Sequence, residues 1–410
     1  MSESAPRRRA ISPTFTLFLV LFVVSVGFGL IIPILPLLTR DFGASPFALG
    51  AMTSSYSVLQ FIFSPIWGQI SDRFGRKRVL MVGIVGTAIS FFMMGFADSF
   101  AKLFWARVLG GLLSSATLPS AQALAAESTS DANRSRAMGL MGAAFGTGFI
   151  VGPLLGGVLA PFGFAVPFFA GGAFAALTVV LAATILREPE RRLAAAGGDG
   201  RRPFSLVRNI VLAFRGPGAP YYTVAFALMF AQSCLMTSLA YFLTDRFGAG
   251  IETIGAVLAA NGAIGAGIQG VAIGHITERL GEHRTILIGL GIGVTGLLGL
   301  VVAPSLYLAV PCVMLMALSM ALTRPSAASA LSKVTTLPQG ITMGVQSSFD
   351  SLGRVVGPLW AGYMYGVWQG APFLSAATVS FLVMLYMRAH TRSDASDPTS
   401  AIDPGSASLS

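Results

Sequence analysis

Of the 17 Asp and Glu side chains, 16 fall in tails, loops or the ends of apolar runs; one, Asp350, stands inside such a run. Burial disfavours the charged form of a carboxyl group and a neighbouring cation favours it, so an interior carboxylate beside cations can take up and release a proton. Arg354 follows Asp350 by one helical turn and shares its face. Arg324 and Arg107 also lie within apolar runs. An arginine there costs roughly 2.5–3.5 kcal/mol on insertion scales and needs a partner or a water-filled cavity. Two chemistries fit. Asp350 exchanges a proton while Arg354 or Arg324 moves between partners, or Asp350 and Arg354 form a permanent structural pair. Arg107 either joins a proton path toward Asp350 or snorkels from the outer end of its helix.

Gln346, Asp350 and Arg354 are spaced i, i+4, i+8, which makes one stripe of their helix polar. Lipid-facing polar groups are costly, so the stripe is expected to face a central cavity. Gln60, Gln122, Gln232, Asn261 and Gln269 are the other polar residues within apolar runs, and Gln60, Gln232, Asn261 and Gln269 are, with Gln346, the polar candidates for that cavity. Tyr56, Phe145, Phe149, Phe230, Met316 and Met320 are candidates for an apolar wall, which would suit varied amphipathic cargo. Ordinary packing is the competing reading for each of them. His275, His283 and His390 sit at run edges or tails, and Cys234 and Cys312 inside runs, with no metal-ligand or disulfide spacing. Neither a nucleophile–base pair nor a metal cluster is visible, so the expectation is a non-enzyme without cofactor or metal.

The elements that must position these groups are membrane spans. The chain of 410 residues is 54% hydrophobic and only 11% charged, with a mean hydropathy of +0.74. Soluble domains carry about 25% charged residues. The apolar residues come in runs of about 20, the length that crosses a bilayer. Twelve such runs are expected: 14–38, 47–70, 79–97, 101–125, 136–160, 163–186, 221–244, 253–275, 284–303, 306–331, 340–366 and 370–388. They are numbered spans 1 to 12 here. Only helices satisfy their own backbone in lipid, so each span is read as helical. Soluble enzymes, disordered chains and disulfide-stapled secreted domains are excluded, and so is an outer-membrane barrel, whose segments would alternate. The run after Arg7-Arg8-Arg9 is too long for a signal peptide and reads as an uncleaved first span.

The net charge is +10. With no nucleic-acid-binding motif, the excess reads as orientation. Of the 27 Lys and Arg, the tails, the linker and alternate loops hold 21; the opposite loops hold Arg40, Lys102 and Arg246; Arg107, Arg324 and Arg354 lie within spans. Both termini and the linker are therefore expected in the cytoplasm of a multi-pass plasma (inner) membrane protein. The domains follow: a cytoplasmic tail 1–13, a six-helix bundle 14–186, a linker 187–219, a second six-helix bundle 220–389 and a disordered tail 390–410.

The halves repeat. Leu38-Thr39-Arg40-Asp41-Phe42-Gly43 matches Leu243-Thr244-Asp245-Arg246-Phe247-Gly248. Gly68, Asp72-Arg73 and Gly75 match Gly274, Glu278-Arg279 and Gly281. Thr117 and Pro119-Ser120-Ala121 match Thr323 and Pro325-Ser326-Ala327; Gly148 and Gly152-Pro153 match Gly353 and Gly357-Pro358. The offset is 205 or 206 throughout. Two parallel six-helix repeats around a midplane site are a transporter architecture.

Three motifs carry a family resemblance. Gly68-Gln69-Ile70-Ser71-Asp72-Arg73-Phe74-Gly75-Arg76-Lys77-Arg78 lies between spans 2 and 3. Leu103-Phe104-Trp105-Ala106-Arg107-Val108-Leu109-Gly110-Gly111 lies in span 4, and Gly148-Phe149-Ile150-Val151-Gly152-Pro153-Leu154-Leu155-Gly156-Gly157 in span 5. Over residues 10–390 the chain resembles the major facilitator superfamily, nearest the twelve-helix drug/proton antiporters. Gly27-Phe28-Gly29-Leu30-Ile31-Ile32-Pro33-Ile34-Leu35-Pro36 and Gln60-Phe61-Ile62-Phe63-Ser64-Pro65 are similar to tetracycline exporters. Those exporters carry an Asp where this chain has Val24 and a His where it has Gly265, so tetracycline itself is not the expected cargo.

The resemblance implies roles. The first motif would be a cytoplasmic latch: Gly68 admits a neighbouring helix, Asp72 sits at the N-terminus of span 11, where the dipole favours an anion, and Arg76 pairs with Glu127. These contacts would hold the outward-open state and break when the cytoplasmic side opens. Arg73, Gly75 and Lys77 belong to the same motif, whose basic residues fix topology in the competing reading. Arg107 would serve proton transfer. The span 5 glycines Gly148, Gly152, Gly156 and Gly157 and the bend at Pro153 would mark an exporter or, more plainly, helix packing. The fold expected is all-α: twelve transmembrane helices in two pseudo-symmetric six-helix bundles, monomeric by resemblance. The function expected is proton-driven export of small amphipathic compounds by alternating access, with a small molecule, protons and the lipid bilayer as partners and no nucleic acid. The rivals are a metabolite or sugar exporter, a facilitator without Asp350-linked coupling, and a membrane sensor.

Overall fold

A computed structural model describes residues 13–128, 131–186, 188, 216–335 and 339–396. Both expected tails lie largely outside these residues, as does most of the linker. The first half holds span 1 (Pro13–Asp41), span 2 (Pro46–Phe74), span 3 (Arg76–Gly95), span 4 (Phe100–Ser114 and Thr117–Ser128), span 5 (Asp131–Leu159) and span 6 (Ala165–Ile185). The second holds span 7 (Ala219–Phe247), span 8 (Ile251–Gly267 and Ile273–Leu280), span 9 (Glu282–Val302), span 10 (Leu306–Val334), span 11 (Gln339–Val367) and span 12 (Ala371–Ser396). The protein is therefore an all-α membrane protein of twelve spans.

Three elements differ from the sequence expectation. Span 4 is broken at Ser115–Ala116, because Pro119 lacks the N–H that would close the turn and its ring crowds the carbonyl four residues back. Span 8 winds into a π turn over Ile268–Ala272, a stretch flanked by Gly265, Gly267 and Gly274. Span 12 continues to Ser396, past the expected start of the tail at 390. Its polar last turns need no lipid contact, because a helix closes its own backbone hydrogen bonds.

The spans end on four glycines that restate the repeat. Gly43 and Gly248 have φ of +69° and +65°, and Gly75 and Gly281 have +107° and +76°. Only glycine takes such angles without strain. Gly43 and Gly248 mark one end of the molecule, Gly75 and Gly281 the other.

The cores show how the halves meet. One large apolar cluster near the Gly43/Gly248 end joins Leu30, Ile34, Leu49 and Met52 of the first half to Leu235, Phe242, Ile254 and Leu258 of the second. Toward the other end the cores separate. Leu17, Leu80, Ile84 and Leu124 pack in the first half alone, and Leu228, Ile286, Leu290 and Met387 in the second alone.

Two glycine seams seal the closed end, and they are related by the repeat. A Cβ on Gly50 of span 2 would strike the carbonyl of Pro358 of span 11; a Cβ on its counterpart Gly255 of span 8 would lie 2.5 Å from the carbonyl of Pro153 of span 5. Likewise Gly362 lies against Pro46, and its counterpart Gly157 against Ile251. Helix backbones touch here because no side chain intervenes. Toward the Gly75/Gly281 end, Gly139, Gly142, Gly267, Gly270 and Gly274 have open space where a Cβ would stand. With its halves packed together at one end and their cores separate at the other, the molecule is closed at the first and open at the second.

Candidate functional site

The interior charges collect where the two halves face each other. Span 11 supplies Asp350 and Arg354, span 10 Arg324, span 4 Arg107 and span 2 Tyr56. Nη2 of Arg324 lies 3.4 Å from Oδ2 of Asp350, a long ion pair. Arg354 stands within electrostatic reach of Asp350, Arg324 and Tyr56, and Tyr56 of both Arg107 and Arg354. The Ser54 hydroxyl donates to the Val355 carbonyl at 2.7 Å, which ties span 2 to span 11 beside Arg354. The five groups therefore form one cluster shared by both halves.

Arg107 does not snorkel. It is 7% exposed, and its Nε is buried without a hydrogen-bond partner. Its guanidinium lies over the Tyr56 ring, 4.3 Å from the centroid. Tyr56 is fixed in turn by a 2.7 Å hydrogen bond with the Ser114 hydroxyl and an edge-on contact with Phe28 at 5.5 Å. A desolvated cation–π contact is worth about 2 kcal/mol, and an arginine at mid-span costs roughly 2.5–3.5 kcal/mol. The ring offsets only part of that cost.

Of the cavity candidates, Gln346 is buried on the Asp350 stripe. Gln60 and Gln232 are half-buried; Gln122, Gln269 and Phe149 are exposed. Asn261 spends its amide on the Val313 carbonyl at 2.9 Å, joining spans 8 and 10. Of the apolar wall candidates, Phe230 and Met316 are buried, while Phe145 and Met320 keep part of their surface exposed. Phe230 and Met316 belong to the core, and Phe145 and Met320 pack against the core of their own half. Periodicity alone did not distinguish a cavity face from a core face.

At the open end, Nε of Arg76 lies 3.0 Å from Glu127, and its Nη1 lies 2.5 Å from Asp72. The carboxylate of Asp72 is thus bonded within its own half, largely exposed. The sequence reading grouped Arg76–Glu127 with contacts that break on opening. Here that end is open and the pair is intact, because both residues belong to one half. Lys77 donates to the Ala183 carbonyl and Gly75 packs against Glu188, again within one half. Gly68 has open space beside it. Gly148, Gly152 and Gly156 press on span 1 at Ser25, Val26 and Leu30, and Gly157 and Pro153 form the seam with span 8.

The sequence reading missed the closed-end latch. Arg40 of span 1 donates both Nη1 and Nη2 to Asp245 of span 7, at 2.6 and 2.9 Å. The Tyr365 hydroxyl of span 11 donates to the same carboxylate at 2.7 Å, and the Arg40 guanidinium lies over Tyr241 at 4.6 Å. Among the described residues it is the ion pair that joins the halves. The signal was in the repeat: Thr39-Arg40-Asp41 answers Thr244-Asp245-Arg246 with the charges exchanged. Positions related by a pseudo-two-fold can meet near its axis, and the exchange puts opposite charges there instead of like ones.

Two six-span repeats, closed at one end around a shared charge cluster, define a membrane transporter rather than an enzyme. The chain belongs to the Major Facilitator Superfamily, which its residues 17–336 and 221–408 match. Multidrug resistance protein 1 of Bacillus subtilis (strain 168) is 32% identical over 369 residues, 88% of this chain and 92% of its own length. The class G tetracycline resistance protein of Vibrio anguillarum is 32% identical over 376 residues, 89% of this chain and 94% of its own. Among solved structures, a bacterial homolog of the human lysosomal transporter Spinster, in an inward-facing and occupied conformation, superposes with a TM-score of 0.76 at 16% identity. It covers 92% of this chain and 96% of its own and speaks to the fold.

Proposed function

We propose that this transporter exports small amphipathic compounds in exchange for protons by alternating access. It works as a monomer of two bundles, 14–186 and 220–389, joined by a linker at 187–219. It resides in the plasma (inner) membrane with the tails 1–13 and 390–410 in the cytoplasm. The charge asymmetry of the loops supports this orientation, which makes the open end cytoplasmic. The observation that carries the reading is Asp350, a carboxylate buried between the halves beside Arg324 and Arg354. Resistance proteins cover about nine-tenths of the chain, which favours efflux over uptake. In this reading a proton on Asp350 releases its cations, and release of the proton restores the pair as the halves rock.

The test is the purified protein in liposomes with a pH-sensitive dye inside, challenged with lipophilic compounds and sugars under an imposed pH gradient. Proton movement triggered by a lipophilic cargo, and lowered at least tenfold in Asp350→Asn, is expected. Cargo movement without proton movement would leave a facilitator, with Asp350 and Arg324 as a structural pair.

A further inference from the structure

The charge cluster between the halves does not balance. Among the described residues it holds three guanidinium groups and one carboxylate. Asp350 answers Arg324 across 3.4 Å. Among the described residues Arg354 makes no ion pair, and it keeps an exposed surface beside Tyr56 and Asp350. Arg107 is nine-tenths buried, and its Nε finds no partner. Tyr56 stands within electrostatic reach of both unpaired arginines, with Phe28 edge-on beside it. Unpaired interior arginines mark pathways and ligand sites because their charge must be answered there. A cationic cargo would enter an excess of two positive charges. An anionic one would supply the missing counter-charge.

We propose that this site binds amphipathic organic anions. The anionic head, a carboxylate or sulfonate, takes the planar fork of Arg354, which matches such groups bidentately. Arg107 adds its field from behind Tyr56. The apolar body lies against Tyr56 and Phe28. Asp350 keeps Arg324 and competes with the cargo for Arg354. The proposal names the cargo class of the transport reading above and rests on it.

Two probes of fixed and opposite charge test it, naphthalene-2-sulfonate and naphthyl-trimethylammonium, both unable to leak as neutral species. Equilibrium dialysis against the purified protein measures binding, and counterflow in liposomes measures transport. The sulfonate is expected to bind and move and the ammonium not, with methanesulfonate a poor competitor for want of a ring. Arg354→Gln should lower sulfonate binding and transport at least tenfold, and Arg354→Lys should keep a measurable part of both, which separates charge from folding. Asp350→Asn should bind the sulfonate as well as the parent or a few-fold better, because a competitor is removed, even as proton movement is lost.

Transport of the ammonium but not the sulfonate would overturn the anion assignment and leave proton-driven export standing. Equal sulfonate transport by Arg354→Gln would overturn it as well. If neither probe binds or moves, the assignment also falls, and the pH-dye screen in the same liposomes judges the export reading separately. Sulfonate transport without proton movement would keep the anion site and remove the coupling.

Discussion

The two ends of the molecule carry similar chemistry arranged to opposite effect. At the closed end, the Arg40–Asp245 pair crosses between the halves, and so do the backbone contacts of Gly50, Gly157, Gly255 and Gly362. At the open end, Arg76 bonds Asp72 and Glu127 within the first half, and Lys333 bonds Glu282 within the second. The difference teaches where the conformational energy lies. An ion pair inside one half moves with it and is indifferent to rocking. Under the proposed alternating access, a pair between halves is made in one state and lost in the other, so it would bias the equilibrium by its whole differential worth. The Arg40 and Asp245 side chains are 41% and 21% exposed, so screening holds their charge-assisted pair to about 1–2 kcal/mol. That is still a factor of roughly 5–30 in population.

Perturbing each end in turn should expose this asymmetry. The largest effect is expected from Asp245→Arg, which sets two guanidinium groups face to face where a bidentate pair stood. Transport should fall more than tenfold, and exchanging the charges in Arg40→Asp/Asp245→Arg should restore much of it. A double variant as inactive as the single one would mean that the pair does not latch. Next comes Gly50→Ala. Its Cβ meets the Pro358 carbonyl, and a backbone cannot rotate away, so the closed seal should lose about 1–3 kcal/mol. Gly68→Ala meets nothing in this state and should leave the seal intact, while hindering any approach at the other end. Cysteine accessibility at Ala44 should rise in the first variant and not in the second.

Smaller still is Arg76→Gln. It removes two partly exposed ion pairs and a hydrogen bond to Ser71, all within one half, and should cost about 0.5–2 kcal/mol of stability, read from the unfolding midpoint. Closed-end accessibility should not change, and a change there would contradict the assignment of these pairs to one half. Lys102→Gln removes an exposed i,i+4 contact with Asp98 and should alter neither transport nor accessibility.

Much of this was legible in the sequence because membrane helices announce themselves by length and apolarity, and a duplicated chain by a constant offset. Among the described residues nine helices are long and apolar enough to cross a membrane. Spans 2, 4 and 11 fall outside that group, and they carry Tyr56, Arg107, Asp350 and Arg354. Spans 2 and 11 interrupt their apolar runs with polar residues, and span 4 is split into two helices of 15 and 12 residues, each too short to cross alone. The cluster around Asp350 was readable from charge alone, since polar groups in a membrane must converge. Which aromatic and Met residues would face it was not, because a core face and a cavity face share one composition. The π turn of span 8 leaves only a run of glycines as its trace. The latch was visible as an exchanged charge pair in the repeat, but its contact needed the fold to bring spans 1 and 7 together.

The central claim is that the two ends open in alternation. The direct measurement is paired spin-label distances in a Cys234→Ser/Cys312→Ser background, one pair at Ala44 and Gly250 across the closed end and one at Phe74 and Leu280 across the open end. As pH and cargo are varied, the first distance should lengthen as the second shortens, and Asp245→Arg should favour the long form of the first. Distances that change together, or a single fixed distance at each end under every condition, would contradict the account.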